Sequence, residues 1–246
     1  MLKTRVLAAL LTGVLSAQLA LAAAPPRELA ETRAQLAIEY MRYGNMRVAM
    51  ENANQAIAVD PTYQAGYLAK ALIYMALKVD GEADAAFRKA LSLNAANPEV
   101  NNNYGLFLCE RRRFDEALKR FDTALADPFF ATPQTAMANK AVCLGKMNRN
   151  DEANALLLEV LRRSPNDVTA LRELTRLAVQ AGNAQLAQFY FDRLGKDDRR
   201  FGADELLLGV RLARLKKDAL TELRLSEALK KRFPDSLQTQ QLLSGS

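Results

Sequence analysis

The chain has no histidine in its 246 residues. That removes the commonest general base, the commonest metal ligand and the usual partner of a serine or cysteine nucleophile. Its 11 glycines are scattered, and none falls into G-x-G-x-x-G or G-x-x-x-x-G-K, so no phosphate-cradling loop is encoded. Two cysteines without histidine cannot complete a structural zinc site alone, and these two lack the C-x-x-C spacing of a redox pair. No cofactor and no metal site is therefore expected. Beyond residue 24 no sustained apolar run occurs. Cations outnumber anions, 34 to 28, but they sit in short clusters, mostly mixed, at 110–113, 196–200 and 230–232. Such clusters read as solvated helix faces. Nucleic acid would need a coherent basic face with stacking aromatics. Carboxylates remain as catalytic candidates, but most lie where a helix surface would place them.

What is present begins with an address. Lys3 and Arg5 precede an apolar run from Val6 to Ala24, interrupted at Thr12, Ser16 and Gln18, that closes on Ala20, Leu21 and Ala22. A basic start, an apolar middle and an A-x-A end describe a secretory signal peptide cut after Ala22. The alternative is an uncleaved anchor, because the run is nearly long enough to span a bilayer. Without Lys3 and Arg5 the formal charge of +6 becomes +4. The expected organisation is a signal peptide at 1–22, a linker at 23–29 and a repeat domain at 30–246.

The repeat is the strongest signal. Ala49, Ala83 and Ala117 are spaced by 34 residues, Ala153 follows after 36, and Ala187 and Thr221 each after another 34. This is the period of the tetratricopeptide (TPR) helix–turn–helix unit. With repeats numbered from Ala30, Gln64, Pro98, Gln134, Val168 and Gly202, this series is position 20. Position 8, where the two helices of a repeat cross closely, reads Ala37, Ala71, Gly105, Ala141, Thr175 and Gly209. Position 24 reads Ala53, Phe87, Phe121, Leu157, Phe191 and Leu225, and position 27 reads Ala56, Ala90, Ala124, Val160, Leu194 and Ala228. Pro61, Pro165 and Pro234 fall where second helices must stop. The expected fold is all-α: a right-handed superhelical solenoid of about six TPR repeats, closed by a C-terminal capping helix over Ser236–Leu243. One helix pair cannot bury its own apolar face, so stacked neighbours must supply the core.

In a TPR array the first helix of each repeat lines the inner face, at positions 2, 5, 9, 12 and 13. The candidate partner groove is therefore Ala34, Ile38 and Met41 in repeat one, Leu68, Leu72 and Met75 in repeat two, and Asn102 and Leu106 in repeat three. Ala65 and Ala76 share the face, and Cys109 is nearby. The lining is apolar, which fits a hydrophobic segment laid along it. The same residues would also serve simply by packing on neighbouring helices. The cations of carboxylate-clamping TPR modules are missing here; Arg172 and Arg176 in repeat five are the nearest approach. Cys109 and Cys143 occupy the first helices of consecutive repeats. Export favours a disulfide between them, and two buried free thiols are the alternative.

The stretches NNNYGLFLC (101–109), FDTALADPFFATP (121–133) and NKAVC (139–143), with LAIEYMRYGNMRVA (36–49) and ADELLLG (203–209), resemble the type IV pilus biogenesis/stability protein family, the PilW/PilF secretin pilotins. The resemblance spans nearly the whole chain after the signal. It implies a non-enzymatic protein at the periplasmic side of the outer membrane, with the outer-membrane secretin as partner and other pilus proteins as further partners. The family's paired cysteines map onto Cys109 and Cys143. Its lipobox does not carry over: Leu21, Ala22 and Ala23 begin one, but Ala24 stands where the acylated cysteine belongs. The implied lipid anchor has no attachment point there, which leaves a soluble periplasmic or signal-anchored form. Two other functions compete: a general periplasmic scaffold for another envelope complex, and a carboxylate-dependent hydrolase on a helical scaffold.

Overall fold

The computed structural model describes residues 26–195 and 197–245. The signal peptide and the Leu21–Ala24 segment expected from the sequence lie outside the described residues. Among those described there are thirteen α-helices, one 3-10 turn at Asp198–Arg200 and no strand. The helices pair in chain order: α1 (Pro26–Arg42) with α2 (Met46–Val59), α3 (Gln64–Ala76) with α4 (Asp80–Leu93), and α5 (Pro98–Glu110) with α6 (Phe114–Leu125). They continue as α7 (Pro133–Lys146) with α8 (Asn150–Arg163), α9 (Val168–Gln180) with α10 (Ala184–Leu194), and α11 (Ala203–Lys216) with α12 (Ala219–Arg232). The last helix, α13 (Leu237–Ser244), packs on α11 and α12 as the expected cap. Repeat starts match the sequence expectation at Gln64, Pro98 and Val168. Helix α1 starts earlier than expected: residues 26–29, assigned to the linker, form its first turn, led by Pro26. A proline suits that position, because its missing N–H would have no helical partner there.

The described residues divide into two compact bodies, one ending at Ala95 and the other beginning at Ala96. The first holds repeats one and two, the second holds repeats three to six with the cap. Within each body the signature positions form the core. Position 8 is closed in all six repeats, and the position 20 alanines are 0% exposed. Position 24 places Phe87, Phe121 and Leu157 at full burial. The smallest side chains stand where helices cross, so backbones approach closely and the large residue at position 24 fills the remaining gap.

The turns inside the repeats obey the same register. Gly44, Lys78, Arg112, Asn148, Gly182 and Lys217 each end a first helix with a φ between 58° and 76°. This left-handed cap turns the chain back for the second helix. Only Gly44 and Gly182 adopt it without a steric penalty. Six helices, α2, α5, α9, α10, α12 and α13, are capped by side chains: Asn45, Asn97, Asp167, Asn183, Asp218 and Ser236 each accept from the backbone N–H three residues on.

Candidate functional site

In the first body the inner face is built by α1 and α3. Ala34 and Leu68 are only 4% and 5% exposed, so they belong to the packing and offer a partner little surface. Ile38 and Met41 are half-buried against a cluster of Ala37, Ala49, Ala53, Ala69 and Ile73. Leu72 and Met75 are half-buried as well. The open part of this face is thus Ile38, Met41, Leu72 and Met75, an apolar patch carrying two adaptable thioethers.

In the second body Asn102 is buried, and its Oδ1 accepts a hydrogen bond from Asn139 Nδ2 at 3.0 Å. It braces α5 against α7 and is not an open groove residue. A buried amide costs stability unless paired, and this pair meets the need. Leu106 is half-buried on α5. One turn beyond it, Cys109 forms a disulfide with Cys143 across α5 and α7, with a Cα–Cα distance of 5.8 Å. Both cysteines are buried. The bond ties repeat three to repeat four through the helices that present the inner face.

Farther along the second body, α7, α9, α11 and α13 enclose an open cleft of about 520 Å³. Its floor includes Leu207 and Leu208, and Lys146, Arg172, Arg176 and Arg211 stand around it. The two arginines singled out in the sequence are held by their own chain. Arg172 Nη1 lies 2.9 Å from Glu205 Oε1 and 3.6 Å from Asp204 Oδ2. Arg176 Nε donates to Glu173 Oε1 at 2.7 Å, and this pair rests on Gly145, where an added Cβ would come within 2.6 Å of the guanidinium. The pairs lock α9 to α11 and α9 over α7. Nothing in the residue types at 172 and 176 distinguishes such a brace from a ligand clamp. The partner of Arg172 lies 33 residues away, one repeat on, and that spacing was the available signal.

Among the described residues no group of three or more histidine, cysteine, aspartate or glutamate side chains is placed to hold a metal ion. No described helix is long and apolar enough to cross a membrane.

Comparison with known proteins agrees with the repeat architecture and sharpens it. A tetratricopeptide repeat family model matches residues 65–97. The type IV pilus assembly protein PilF of Pseudomonas aeruginosa is 28% identical over 207 residues, which is 84% of this chain and 82% of that protein. The crystal structure of PilW, described as a widely conserved type IV pilus biogenesis factor, superposes with a TM-score of 0.75 at 37% identity, covering 87% of this chain and 98% of that one. The solved Pseudomonas aeruginosa PilF structure superposes with a TM-score of 0.72 at 27% identity, over 90% of this chain and 99% of that one.

Proposed function

The chain belongs to the tetratricopeptide family of type IV pilus biogenesis factors that includes PilW, and from that premise we propose that it is a non-catalytic assembly factor acting in the periplasm. Its partner is the outer-membrane secretin through which pili emerge, and its action is to promote secretin multimerisation and stability by direct contact. The observation that carries this reading is the open apolar face of α1 and α3. Ile38, Met41, Leu72 and Met75 are partly exposed at inward repeat positions where a carboxylate clamp would place cations. A hydrophobic secretin segment covering them would gain about 25 cal/mol per Å² removed from water, before the ordering cost of association. Several contacts are needed for useful affinity, so the site is extended over both first helices of this body. Residues 1–22 act as the export signal in this reading. With Ala24 in the place of an acylated cysteine, the protein works without a lipid at that position.

Isolating a tagged chain from envelope extract and identifying what accompanies it tests the proposal. Recovery of the secretin supports it. Recovery of a different envelope complex, with no secretin, transfers the protein to the scaffold role.

A further inference from the structure

Positions 19 and 22 of a repeat lie on the outward side of its second helix. In repeats two, three and four position 19 is Glu82, Glu116 and Glu152, all exposed, as a solvated face requires. In repeats five and six the same position is Leu186 and Leu220, and position 22 becomes Phe189 and Leu223. These four side chains are exposed: Leu186 by 40%, Phe189 by 57%, Leu220 by 83% and Leu223 by 62%. They stand on α10 and α12 of the second body, away from the cleft lined by the first helices and the cap. The two repeats are tied there by Lys216 Nζ donating to Gln188 Oε1 at 2.7 Å.

The charge around the repeat-six half of this stripe is one-sided. Residues 214–232 carry seven lysines and arginines against three acids, in a chain whose formal net charge is +6. Arg214 is paired with Glu222, Arg224 with Asp198 and Lys230 with Glu227. Lys217, in the turn before α12, and Lys231 are exposed. Lys231 lies eleven residues beyond Leu220, three helical turns along the same face.

We propose that this outer face of repeats five and six docks on an anionic phospholipid surface. Leu186 and Leu223 rim open clefts of about 250 Å³ and 360 Å³, whereas Phe189 and Leu220 project outward from their helices, and such leucine and phenylalanine tips can enter the headgroup boundary of a bilayer. The flanking cations match acidic headgroups, each contributing attraction within a Debye length. A second copy of the chain would bring two basic rims together and be repelled. The inference does not depend on which protein the inner face holds.

A dye placed on the stripe reads the contact locally, independent of what the N-terminal segment does. The full chain carrying L220C is labelled with an environment-sensitive fluorophore; Cys109 and Cys143, being bonded, stay unlabelled. A second sample carries the label at Q238C, in the cleft. Vesicles of phosphatidylethanolamine with about 30 mol % phosphatidylglycerol should shift the emission at position 220 to the blue and leave position 238 unchanged. Phosphatidylcholine vesicles should do neither. Adding K217E and K231E should raise the lipid concentration needed by about tenfold or more. An unshifted label at 220, or an equal shift with neutral vesicles, overturns the proposal. A shift that grows with protein concentration alone assigns the surface to a second copy, and one produced by poly-glutamate but not by vesicles assigns it to an acidic protein; both also overturn it.

Discussion

The α-carbon of Gly105 on α5 faces the ring of Phe121 on α6: a Cβ built at Gly105 would lie 2.8 Å from Cε1 and 2.9 Å from Cδ1 of that ring. Phe121 is fully buried, so it has little room to yield. Gly105→Val should therefore overpack the crossing and cost about 1–3 kcal/mol. Urea unfolding followed by circular dichroism should show a lower midpoint with an unchanged slope. An unaltered midpoint would mean that the repeat crossing is looser than described.

This contact also shows what the sequence makes legible. Positions 8, 20, 24 and 27 recur every 34 to 36 residues because each repeat meets the same packing problem, so periodicity reveals the helix pairs and most of their starts. Exposure on the inner face is different. Ala34, Leu68 and Asn102 have the same inward register as Leu72, yet they are closed by neighbours that the register does not name. For Asn102 that neighbour is Asn139, 37 residues away. Arg172 likewise has its carboxylate partner, Glu205, one repeat on, whereas Arg176 pairs with Glu173 three residues back on its own helix. The outer stripe of Leu186, Phe189, Leu220 and Leu223 was readable as a change at positions 19 and 22, but its meaning depended on those side chains being left uncovered.

Lys78 holds φ at 59° where Gly44 and Gly182 hold 76° and 72° in the equivalent turns. Its side chain is exposed and in none of the ion pairs that fix the repeats. Lys78→Gly should relieve the left-handed strain and raise stability by about 0.5–1 kcal/mol, after the entropy that glycine adds to the unfolded chain. A higher melting temperature checks this; a lower one would show that the lysine stem contributes packing worth more than the strain.

The Cys109–Cys143 bond closes a sequence separation of 34 residues. A loop of that size should add about 3–4 kcal/mol by restricting the unfolded chain, in the chain-entropy account. Non-reducing digestion and mass spectrometry should find the two peptides joined. Replacing both cysteines by serine should lower the unfolding midpoint accordingly. Two thiols that alkylate freely in the native, unreduced protein would contradict the pairing.

Asp60 accepts hydrogen bonds from the Thr62 hydroxyl at 2.6 Å and the Thr62 N–H at 2.8 Å, and it faces the Arg27 guanidinium at 2.9 Å. The hydroxyl bond above all, then the guanidinium, holds its carboxyl at about 2. Glu159, paired with Arg162 and Arg163, is likewise held at about 2. Both values lie below those of unfolded chains, about 3.9 and 4.3. The stabilisation they provide is therefore complete above about pH 4.5 and is lost as pH falls toward 2. The Asp60 carboxyl resonance should titrate near the lower value, and Thr62→Ala should move it up. A midpoint at the ordinary aspartate value in the native protein would remove this contribution.

The central claim is that the open inner face of the first body acts on the secretin. Leu72 and Met75 are half-buried there, whereas Leu68 is fully packed, so Leu72→Glu with Met75→Glu tests the face while sparing the core. The measurement is the amount of multimeric secretin in envelopes of cells carrying this variant, set beside the helicity and melting temperature of the purified protein. The account predicts that multimers are lost while the variant keeps its wild-type helical signal and melts within a few degrees of the natural chain. Multimers at the natural level, formed by a variant that is present and folded, would contradict it.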